Sequence, residues 1–365
     1  MNLEIISTLE SFAALEAEWD LLTSEPLRSF AWHFSWWKHF GEGLELKLII
    51  LREEGQLVGV APFYIDYWLG QRRLRFIGSG RTCTDYAQLI CKPEHAADFQ
   101  KKVAGYFSAE FAFDMLELEG VTTDQFGSFC GQLRQQPNGY WEYYQPLEPT
   151  WVLDLPEDWD QFRSNSRKSL KRKIKRADSR LSSGDIAVRS TDGDLDFEEA
   201  FAILVELHQD RFQNKGEPGV FADTRFLGFL REAGARLAGK GRTEIVVAYE
   251  QGAPLIAQFY LKNEEGVQLY QAGIRSSKMH LEPGHLLLTY SVRKAIENGY
   301  QYFDFLRGNH PYKPYWGANP RLLVKVRLVS SGILPSAVHR TFRVVREFKR
   351  LCQSLTWNSG FRVEA

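Results

Sequence analysis

The two halves of the chain share one order of secondary-structure patterns, and this order constrains the fold more than any single motif does. Each half reads as two helices, a pair of strands joined by a tight turn, a further strand, a helix and a closing strand. Hairpins that are followed by a helix and another strand are typical of mixed sheets covered by helices. No segment recurs letter for letter, so we predict a diverged structural duplication within an α/β (α+β) chain.

Length and charge suggest how the chain is divided. Its 365 residues suffice for two hydrophobic cores. We expect a first domain over residues 1–150, a second domain over 151–334 and a basic amphipathic C-terminal helix over 335–365. The formal charge is −9 in residues 1–150 and +8 in residues 151–365. An anionic ligand is therefore expected to bind the second half.

The cysteines and the missing motifs exclude several classes of protein. No CxxC pair or metal-ligand spacing occurs among the four cysteines, Cys83, Cys91, Cys130 and Cys352, which predicts reduced thiols and no bound metal. The sequence shows no secretory signal at its start and no apolar run of the roughly 20 residues that span a bilayer. It also lacks a Walker loop, HExxH and GxSxG. We expect a soluble, cytoplasmic protein that is neither a metalloenzyme nor a triad hydrolase.

The most basic stretch is SRKSLKRKIKRADSR at residues 166–180, within a helix predicted over 158–181. It carries eight basic residues and one acidic residue. One helical face carries the apolar residues Leu170, Ile174, Ala177 and Leu181. The basic residues either form a solvated helix face or contact the phosphate groups of a cofactor, a nucleotide-linked substrate or an RNA.

A second candidate site lies where a strand leads into a helix. The strand ends at Gly273, and the polar loop after it carries Arg275 and Lys278. Pro283 and Gly284 then begin a helix with no acidic residue in its first turn. A helix N-terminus presents free N–H groups and partial positive charge, which suit a pyrophosphate. The same pattern also occurs in ordinary strand-to-helix connections with an early proline.

Asp304, in the motif FDFLRG, lies between two aromatic residues on a strand that should be central. By strand alternation it points away from Phe303 and Phe305, and a buried carboxylate needs a partner or a task. It either pairs with a nearby arginine or orients and deprotonates an amine or hydroxyl. The loop NHPYKPYWG after it contains Tyr312, Lys313, Tyr315 and Trp316. These side chains either stack on a sugar or adenine ring of a ligand or pack within the loop.

Two smaller groups of polar residues are further candidates. His208 and Arg211 lie near the end of a predicted helix, in the motif ELHQDRF. They are either capping or exposed residues, or catalytic residues. Arg81, Asp85 and Tyr86 lie on a glycine-rich loop at a strand end, where they either form the second wall of a cleft or stabilise a turn.

Together these segments resemble the GNAT-type acyltransferases of the CelD/FemAB-like group, whose members are often linked to cellulose or exopolysaccharide synthesis. In the first half the resemblance rests on LVGVAPFY (57–64), LRFIGSG (74–80) and DYAQLI (85–90). In the second half it rests on the basic helix, LHQDRF, APLIAQFYL (253–261), PGHLLL (283–288), FDFLRG and YKPYWG. The order and spacing of these segments extend the resemblance over most of the chain.

The resemblance implies tandem GNAT-like (acyl-CoA N-acyltransferase) folds, each a twisted mixed sheet flanked by helices. The second would bind acetyl-CoA or another acyl-CoA, without a metal. The family's strand, loop and helix around pantetheine and pyrophosphate correspond to residues 267–288. The usual signature is Arg/Gln-x-x-Gly-x-Gly/Ala, whereas IRSSKMHLEPGH has one glycine, at the helix start. The implied cofactor-binding residues are Ala272, Gly273, Arg275, Lys278, Pro283, Gly284 and His285.

The reaction that the resemblance implies is transfer of an acyl group to an amine, or less readily a hydroxyl, of a sugar-like acceptor. Backbone N–H groups near residues 272–273 would polarise the thioester carbonyl. Asp304 or His208 would orient or deprotonate the nucleophile. Tyr312 or Tyr270 would protonate the leaving thiolate. The implied substrate-binding residues are Arg211, Gln258, Lys313, Trp316, Asp85, Tyr86 and Arg81.

Two other interpretations stay open. One is an aminoacyl-tRNA-dependent transferase of the FemAB kind, in which the basic helix contacts tRNA; such enzymes often carry a long helical-hairpin insertion, and no such segment is visible here. The other is a noncatalytic partner of a polysaccharide synthesis complex. In that case the last helix docks on an anionic membrane surface, although the helix also suits packing against the body of the protein. The sequence defines no oligomeric state.

Overall fold

Two twisted mixed sheets form the frame of the computed structural model, which describes residues 1–109, 113–134 and 140–341. The strands are β1 (Asn2–Ile6), β2 (Glu45–Glu53), β3 (Gln56–Trp68), β4 (Gln71–Phe76), β5 (Ile90–Cys91), β6 (Met115–Val121), β7 (Tyr140–Pro146), β8 (Thr150–Asp154), β9 (Ile186–Ser190), β10 (Thr243–Glu250), β11 (Ala253–Lys262), β12 (Gly266–Ile274), β13 (Tyr302–Arg307), β14 (Asn319–Arg321) and β15 (Val324–Ser330). The helices are α1 (Leu9–Ala13), α2 (Glu16–Trp19), α3 (Phe30–Phe40), α4 (Ala96–Ala109), α5 (Thr123–Arg134), α6 (Trp159–Asn165), α7 (Lys168–Ser182), α8 (Phe197–Gln213), α9 (Thr224–Ala238), α10 (Pro283–Glu297) and α11 (Tyr312–Tyr315).

The two sheets repeat one topology. The first has the order β1-β2-β3-β4-β6-β15-β7, with β5 paired to β3, and the second has the order β14-β8-β13-β12-β11-β10-β9. In each sheet four consecutive strands pair antiparallel, and the fourth pairs parallel with the strand beyond a crossover helix. The parallel pairs are β4 with β6 and β12 with β13. The predicted fold class, tandem GNAT-like sheets flanked by helices, is confirmed.

The chain crosses between the sheets twice. It leaves the first sheet between β7 and β8, at the boundary expected near residue 150. It returns between β14 and β15, because β15 pairs antiparallel with both β6 and β7. The expected second domain (151–334) therefore contributes a strand to the first sheet, and backbone hydrogen bonds connect the two halves.

The helix predicted over 158–181 is two helices. α6 ends at Asn165, after which Ser166 has an extended backbone, and its hydroxyl donates to the Phe162 carbonyl oxygen at 2.8 Å. Serine competes with the helix for such backbone groups, so α6 ends there and α7 begins at Lys168. The prediction of one continuous helix is wrong at this point.

An apolar core shared by both halves lies between the sheets. α3 of the first half packs on α9 of the second, with Trp32 edge-on to Phe229 at 4.8 Å between ring centroids. The same core includes Trp19 of the first half and Leu204 of the second. Burial of each such side chain stabilises the fold by roughly 1.5–3 kcal/mol. The two halves are therefore one packed body.

The expected C-terminal helix lies only in part within the described residues. A helix covers residues 333–341, and the remainder of 335–365, including Cys352, lies outside the described part. Contact of that segment with a membrane or a synthase complex stays a prediction. Within the described residues no helix is long and apolar enough to cross a bilayer. The same residues contain no cluster of His, Cys, Asp and Glu side chains suited to a metal ion.

Candidate active site

Asp304 lies where β13 of the second sheet faces the loop after β4 of the first. Its carboxyl is 2% exposed and accepts hydrogen bonds from the Tyr86 hydroxyl at 2.6 Å and the Leu306 backbone N–H at 2.7 Å. Burial raises the pKa of Asp304 to about 7, although both hydrogen bonds oppose that rise. A carboxyl with this pKa exchanges its proton near neutral pH, as a general base must.

The backbone on both sides of the Asp304–Tyr86 hydrogen bond is strained. Leu306 and Tyr86 have left-handed φ values of +53° and +59°, which cost about 1–2 kcal/mol each in residues other than glycine. At Leu306 this conformation accompanies a register shift between β13 and β8 and directs its N–H to the Asp304 carboxyl. Strain that the surrounding structure maintains in this way is characteristic of functional sites.

Arg307 engages the carboxylate of Asp85, the residue before Tyr86. Asp85 is 1% exposed and accepts hydrogen bonds from the Arg307 Nε at 2.8 Å and backbone N–H at 2.9 Å. Burial raises the pKa of Asp85, and the facing guanidinium opposes that rise. Loss of one member of a buried pair typically costs about 3–5 kcal/mol. Asp85, predicted to bind substrate, thus holds the loop that carries Tyr86 against β13.

Lys313 is buried in the same region. Its Nζ donates to the carbonyl oxygens of Leu306 and Arg307, at 2.9 Å each, and the residue is 1% exposed. Burial lowers the pKa of Lys313 to about 8. These bonds join α11 to the end of β13, so Lys313 positions the strand that carries Asp304.

A cavity of about 650 Å³ opens beside Asp304, between the two halves. Its walls come from the segment before α3, the loop after β4, and strands β12, β13 and β14. Six of the lining residues are Glu25, Arg28, Tyr86, Gln268, Tyr302 and Asp304. The volume is ample for a small molecule such as a monosaccharide.

β12 and β13 separate beside this cavity. Their parallel pairing ends where Gln268 lies opposite Asp304. Beyond that point β12 carries Ala272 and Gly273, and no strand among the described residues pairs with it on the β13 side. Backbone N–H groups at such an unpaired edge can donate to the oxygen of a bound carbonyl. The structure therefore places Ala272 and Gly273 where a splayed sheet was expected.

The N-terminus of α10 follows the end of β12. Pro283 is its first residue, and a methyl group added at Gly284 would approach only Ile274 Cδ1, at 4.0 Å. The backbone there can thus be approached closely. His285 accepts a hydrogen bond at Nδ1 from Trp316 Nε1 at 3.1 Å, and burial lowers the pKa of His285 to about 4. This imidazole is neutral at physiological pH and packs against the aromatic loop.

The basic helix α7 packs alongside the start of α10. Lys173 forms an ion pair with Glu282, and Arg176 lies 3.8 Å from the same carboxylate. Together with Arg180 these residues line a cavity of about 260 Å³ next to the helix N-terminus, which we call the α7–α10 groove. The sequence presented the basic stretch and the helix start as separate features, and the fold brings them together.

The two loop cations predicted to bind a cofactor are paired with carboxylates. Arg275 forms an ion pair with Glu206 at 2.8 Å, and Lys278 forms one with Glu250 at 3.0 Å. Neither of them lines the α7–α10 groove, whose arginine and lysine residues come from α7.

His208 lies apart from the cavity beside Asp304. Its ring stacks on Phe212 at 4.4 Å and meets Phe221 edge-on at 4.8 Å, and burial lowers the pKa of His208 to about 4. A neutral, packed ring of this kind supports α8 against β12. Arg211 of the same helix contributes a positive charge near Tyr312, whose pKa burial raises to about 12.

The other predicted residues are distributed around the site. Tyr270 donates its hydroxyl to the Thr82 carbonyl oxygen at 2.7 Å. Gln258 is buried and accepts from the Tyr260 hydroxyl at 2.6 Å. Arg81 is exposed and lies 3.6 Å from Asp223. Trp316 is buried against His285 and stacks on Phe162. None of these four lines the 650 Å³ cavity.

Sequence reasoning named Tyr86 and Asp304 among the residues that line this cavity and missed the others, including Glu25, Arg28, Gln268, Tyr302 and Arg321. A signal existed for Gln268, which interrupts the apolar side of a strand in GVQLYQAGI. No comparable signal marks Arg28, in SEPLRSF. Its place in the cavity depends on how the two halves meet.

Comparisons with known proteins agree with this geometry. Residues 164–314 match a family model described as an acetyltransferase (GNAT) domain. No curated protein matches the sequence. One similar solved structure is FemX, with 12% identity over 89% of this chain and 97% of that one and a TM-score of 0.57. Another is the C-terminal domain of a putative lysylphosphatidylglycerol synthetase from Agrobacterium fabrum, with 9% identity over 93% of this chain and 98% of that one and a TM-score of 0.55. A conserved protein of unknown function from Bacteroides thetaiotaomicron is also similar, with 10% identity over 90% of this chain and 100% of that one and a TM-score of 0.56.

At such low identity the solved structures establish the fold alone. The family model covers only residues 164–314. Residues 164–314 contain α7, the α7–α10 groove, both separating strands and Asp304. They match the acetyltransferase (GNAT) domain model, and the chain is an acyltransferase of tandem GNAT-like fold.

Proposed function

We propose that this protein transfers an acyl group, most simply acetyl, from an acyl-CoA to an amine of a sugar-like acceptor such as a polysaccharide precursor. One observation carries the proposal: Asp304, held by Tyr86, lines a cavity at the point where β12 and β13 separate. This arrangement places a group able to accept a proton next to an unpaired strand edge able to polarise a carbonyl.

The α7–α10 groove suits the phosphate groups of the donor. Lys173, Arg176 and Arg180 supply positive charge, and the open backbone at Gly284 allows close approach to the helix N-terminus. Charge-assisted contacts and the helix dipole both favour a diphosphate there. Glu282 pairs with Lys173 and Arg176, and Glu250 pairs with Arg180 at 2.8 Å. Donor binding therefore requires that these carboxylates give way or share the cations.

Residues that line the cavity, together with Tyr312 outside its lining, have separate roles in amine acylation. Bound acyl-CoA supplies an acyl group activated as a thioester. Asp304, ionised above pH 7, accepts the proton that the amine releases as its nitrogen bonds to the acyl carbon. Tyr86 keeps its own proton, because burial raises the pKa of its hydroxyl, and holds the Asp304 carboxylate in orientation. Tyr312, whose pKa is about 12, is the proposed proton donor to the thiolate that leaves.

Thermal shift and thiol release test this function. Acetyl-CoA, longer acyl-CoAs and free CoA are added separately to the wild-type protein; a ligand at one hundred times its Kd adds about 2.7 kcal/mol of apparent stability. We expect stabilisation and, with glucosamine, thiol release. The Lys173→Gln/Arg176→Gln variant should need at least about tenfold more CoA than wild type for the same thermal stabilisation. Lys175→Gln, an exposed change on the same helix, should be stabilised by CoA as wild type is. No response to any CoA would contradict the proposal.

A second donor is favoured by one specific observation. α7 exposes more positive charge than a diphosphate in the groove requires, at Lys168, Lys171, Arg172 and Lys175. An aminoacyl-tRNA would use such a surface, and its binding would weaken steeply with salt. Gel-shift experiments with bulk tRNA at two salt concentrations separate the donors. Salt-sensitive retardation that Lys171→Gln/Arg172→Gln weakens, with no response to CoA, would favour the tRNA donor.

A further inference from the structure

The cavity beside Asp304 contains an arginine that the proposed acyl transfer does not use. Arg28 lines the cavity from the segment before α3, and burial lowers its pKa while leaving the side chain charged. Within the described residues its guanidinium forms no hydrogen bond and no ion pair. Arg28 is half-buried. A guanidinium that loses part of its hydration normally has a carboxylate or phosphate partner, because that loss is costly.

The charge of Glu25, three residues earlier, acts on Arg28 and raises its pKa, but the two side chains form no ion pair or hydrogen bond. Its carboxylate accepts hydrogen bonds from three neutral donors: the Asn263 amide, the Gln268 amide at 3.2 Å and the Tyr302 hydroxyl at 3.5 Å. Glu25 is therefore oriented toward β12 and β13, and the five N–H groups of Arg28 stay available to a ligand.

A second unsatisfied group, on β12, also lines the cavity. Gln268 is 3% exposed, and its Oε1 has no hydrogen-bond partner. It lies opposite Asp304 in the register of β12 and β13. A buried amide oxygen without a donor costs about 1–3 kcal/mol, and a bound N–H group would remove that cost. The cavity thus offers two hydrogen-bond acceptors on neighbouring strands, Gln268 Oε1 and the Asp304 carboxyl, and the Arg28 cation on the segment before α3.

Arg321 adds positive charge at the mouth of the cavity. It lines the cavity from β14 and is exposed, and its charge lowers the pKa of Asp304. Like Arg28, it has no ion pair within the described residues. A ligand in this cavity therefore meets arginines from two different segments.

We propose that the acceptor of this cavity is an amine that also carries a carboxylate, such as an amino acid or an acidic amino sugar. The carboxylate binds the Arg28 guanidinium, with Arg321 at the entrance. The amine donates to Gln268 Oε1 and presents its nitrogen to Asp304. The proposal rests on the proposed function for the fate of the amine and narrows the acceptor to zwitterionic compounds.

Binding without a donor tests the proposal. Three pairs of amines are titrated calorimetrically into the wild-type protein. Lysine and cadaverine, and β-alanine and ethylamine, differ by one carboxylate, while muramic acid differs from glucosamine by a lactyl ether that carries the carboxylate. We expect at least one acid to bind about tenfold or more tightly than the paired amine that lacks the carboxylate, because bidentate arginine contacts strongly favour a carboxylate. Equal binding within every pair would overturn the proposal.

Variants identify the arginine. Arg28→Gln should abolish the preference for the acid, Arg28→Lys should keep part of it, and Arg231→Gln, a surface residue paired with Glu198, should leave it intact. A preference that survives in folded Arg28→Gln overturns the assignment; if that variant does not fold, Arg28→Lys and Gln268→Leu take its place. The binding test needs no acyl-CoA, so it is independent of the thiol-release assay. Selective binding here, together with no CoA response and no thiol release in that separate assay, would overturn the proposed function and leave this inference standing.

Discussion

Asp304 is the residue at which burial and function are most closely connected. An aspartate in water has a pKa of about 3.9, and the enclosed position on β13 raises it to about 7. The hydroxyl of Tyr86 and the N–H of Leu306 stabilise the ionised form and so oppose the effect of burial. Near neutral pH the carboxyl therefore exchanges between its protonated and ionised forms. This balance suits a base that must accept a proton in each turnover.

Replacement of Asp304 by asparagine tests its role in catalysis. The wild-type rate should rise with pH through about 7 and then level off, because only the ionised carboxylate accepts a proton. In Asp304→Asn the turnover should fall at least about tenfold and this inflection should disappear. Initial rates of thiol release between pH 5.5 and 9 measure both effects. An unchanged rate and profile would assign Asp304 a purely structural role.

The same substitution should change stability in the opposite direction. The folded pKa of Asp304 exceeds the unfolded value, so its contribution to stability is complete below about pH 4 and is lost as pH rises through about 7. Asp304→Asn should therefore gain stability relative to wild type between pH 5 and 8, while the two proteins converge at pH 4. Urea midpoints across this range measure the difference. A constant difference at all pH values would contradict the shifted pKa.

At the residue scale the sequence identified candidates but not their partners. Asp304 and Tyr86 were both expected at a site, yet their hydrogen bond connects residues 218 positions apart in the chain. Arg28 carried no local signal, because an arginine in a polar loop is ordinarily a surface residue. Burial of these groups follows from docking of the two sheets, which spacing along the sequence does not encode.

Close contact between α8 and β12 fixes the edge at which the sheet opens. A Cβ at Gly273 would lie 2.4 Å from the His208 backbone nitrogen and 2.7 Å from the Leu204 carbonyl oxygen. Gly273→Ala should therefore push the helix from the strand and destabilise the protein by about 1–3 kcal/mol. Gly105→Ala, at an exposed position of α4 with nothing within 4 Å, should be neutral or stabilising by up to about 1 kcal/mol. Equal urea midpoints for the two variants would refute this packing argument.

Glu282 regulates access to the α7–α10 groove in this account. It lies at the start of α10 and holds Lys173 and Arg176. Glu282→Gln should free these cations and strengthen CoA binding by roughly threefold, the modest effect expected of a partly exposed ion pair. Glu297→Gln, at the other end of α10, is the matched control. Isothermal titration of CoA measures the change, and weaker binding in Glu282→Gln would mean that the carboxylate helps to form the site.

The sequence predicted most elements at this scale because their patterns are local. The basic amphipathic helix α7 was expected from its apolar face, and its pairing with α10 follows from the need to bury that face. The break at Ser166 was not expected, because a single serine in a helical pattern does not reveal which backbone group it will bond. The role of α7 beside a helix N-terminus therefore emerged only from the packing.

The whole molecule is held together by a shared core and a returning strand. Trp19 and Trp32 of the first half share a core with Leu204 and Phe229 of the second, and β15 extends the first sheet after the second is complete. We therefore expect one cooperative unfolding transition in differential scanning calorimetry, with equal van't Hoff and calorimetric enthalpies. Two separated transitions would show that the halves unfold as independent domains.

The tandem architecture was predictable, because each half repeats one order of helices and strands. The return of β15 was not, since its alternating pattern fits the edge of either sheet. The cavity beside Asp304 was foreseen only as two possible walls, on the loop after β4 and on β13. Its shape and its arginines depend on the interface that the shared core creates.

The central claim is that an acyl-CoA binds the α7–α10 groove and reaches the edge of β12 beside Asp304. A crystal structure of the protein with CoA tests it most directly. We predict the diphosphate between Lys173, Arg176 and the Gly284 N–H, with the thiol directed to the gap between β12 and β13. CoA bound elsewhere, or a groove that stays closed by Glu282 at saturating CoA, would contradict the claim.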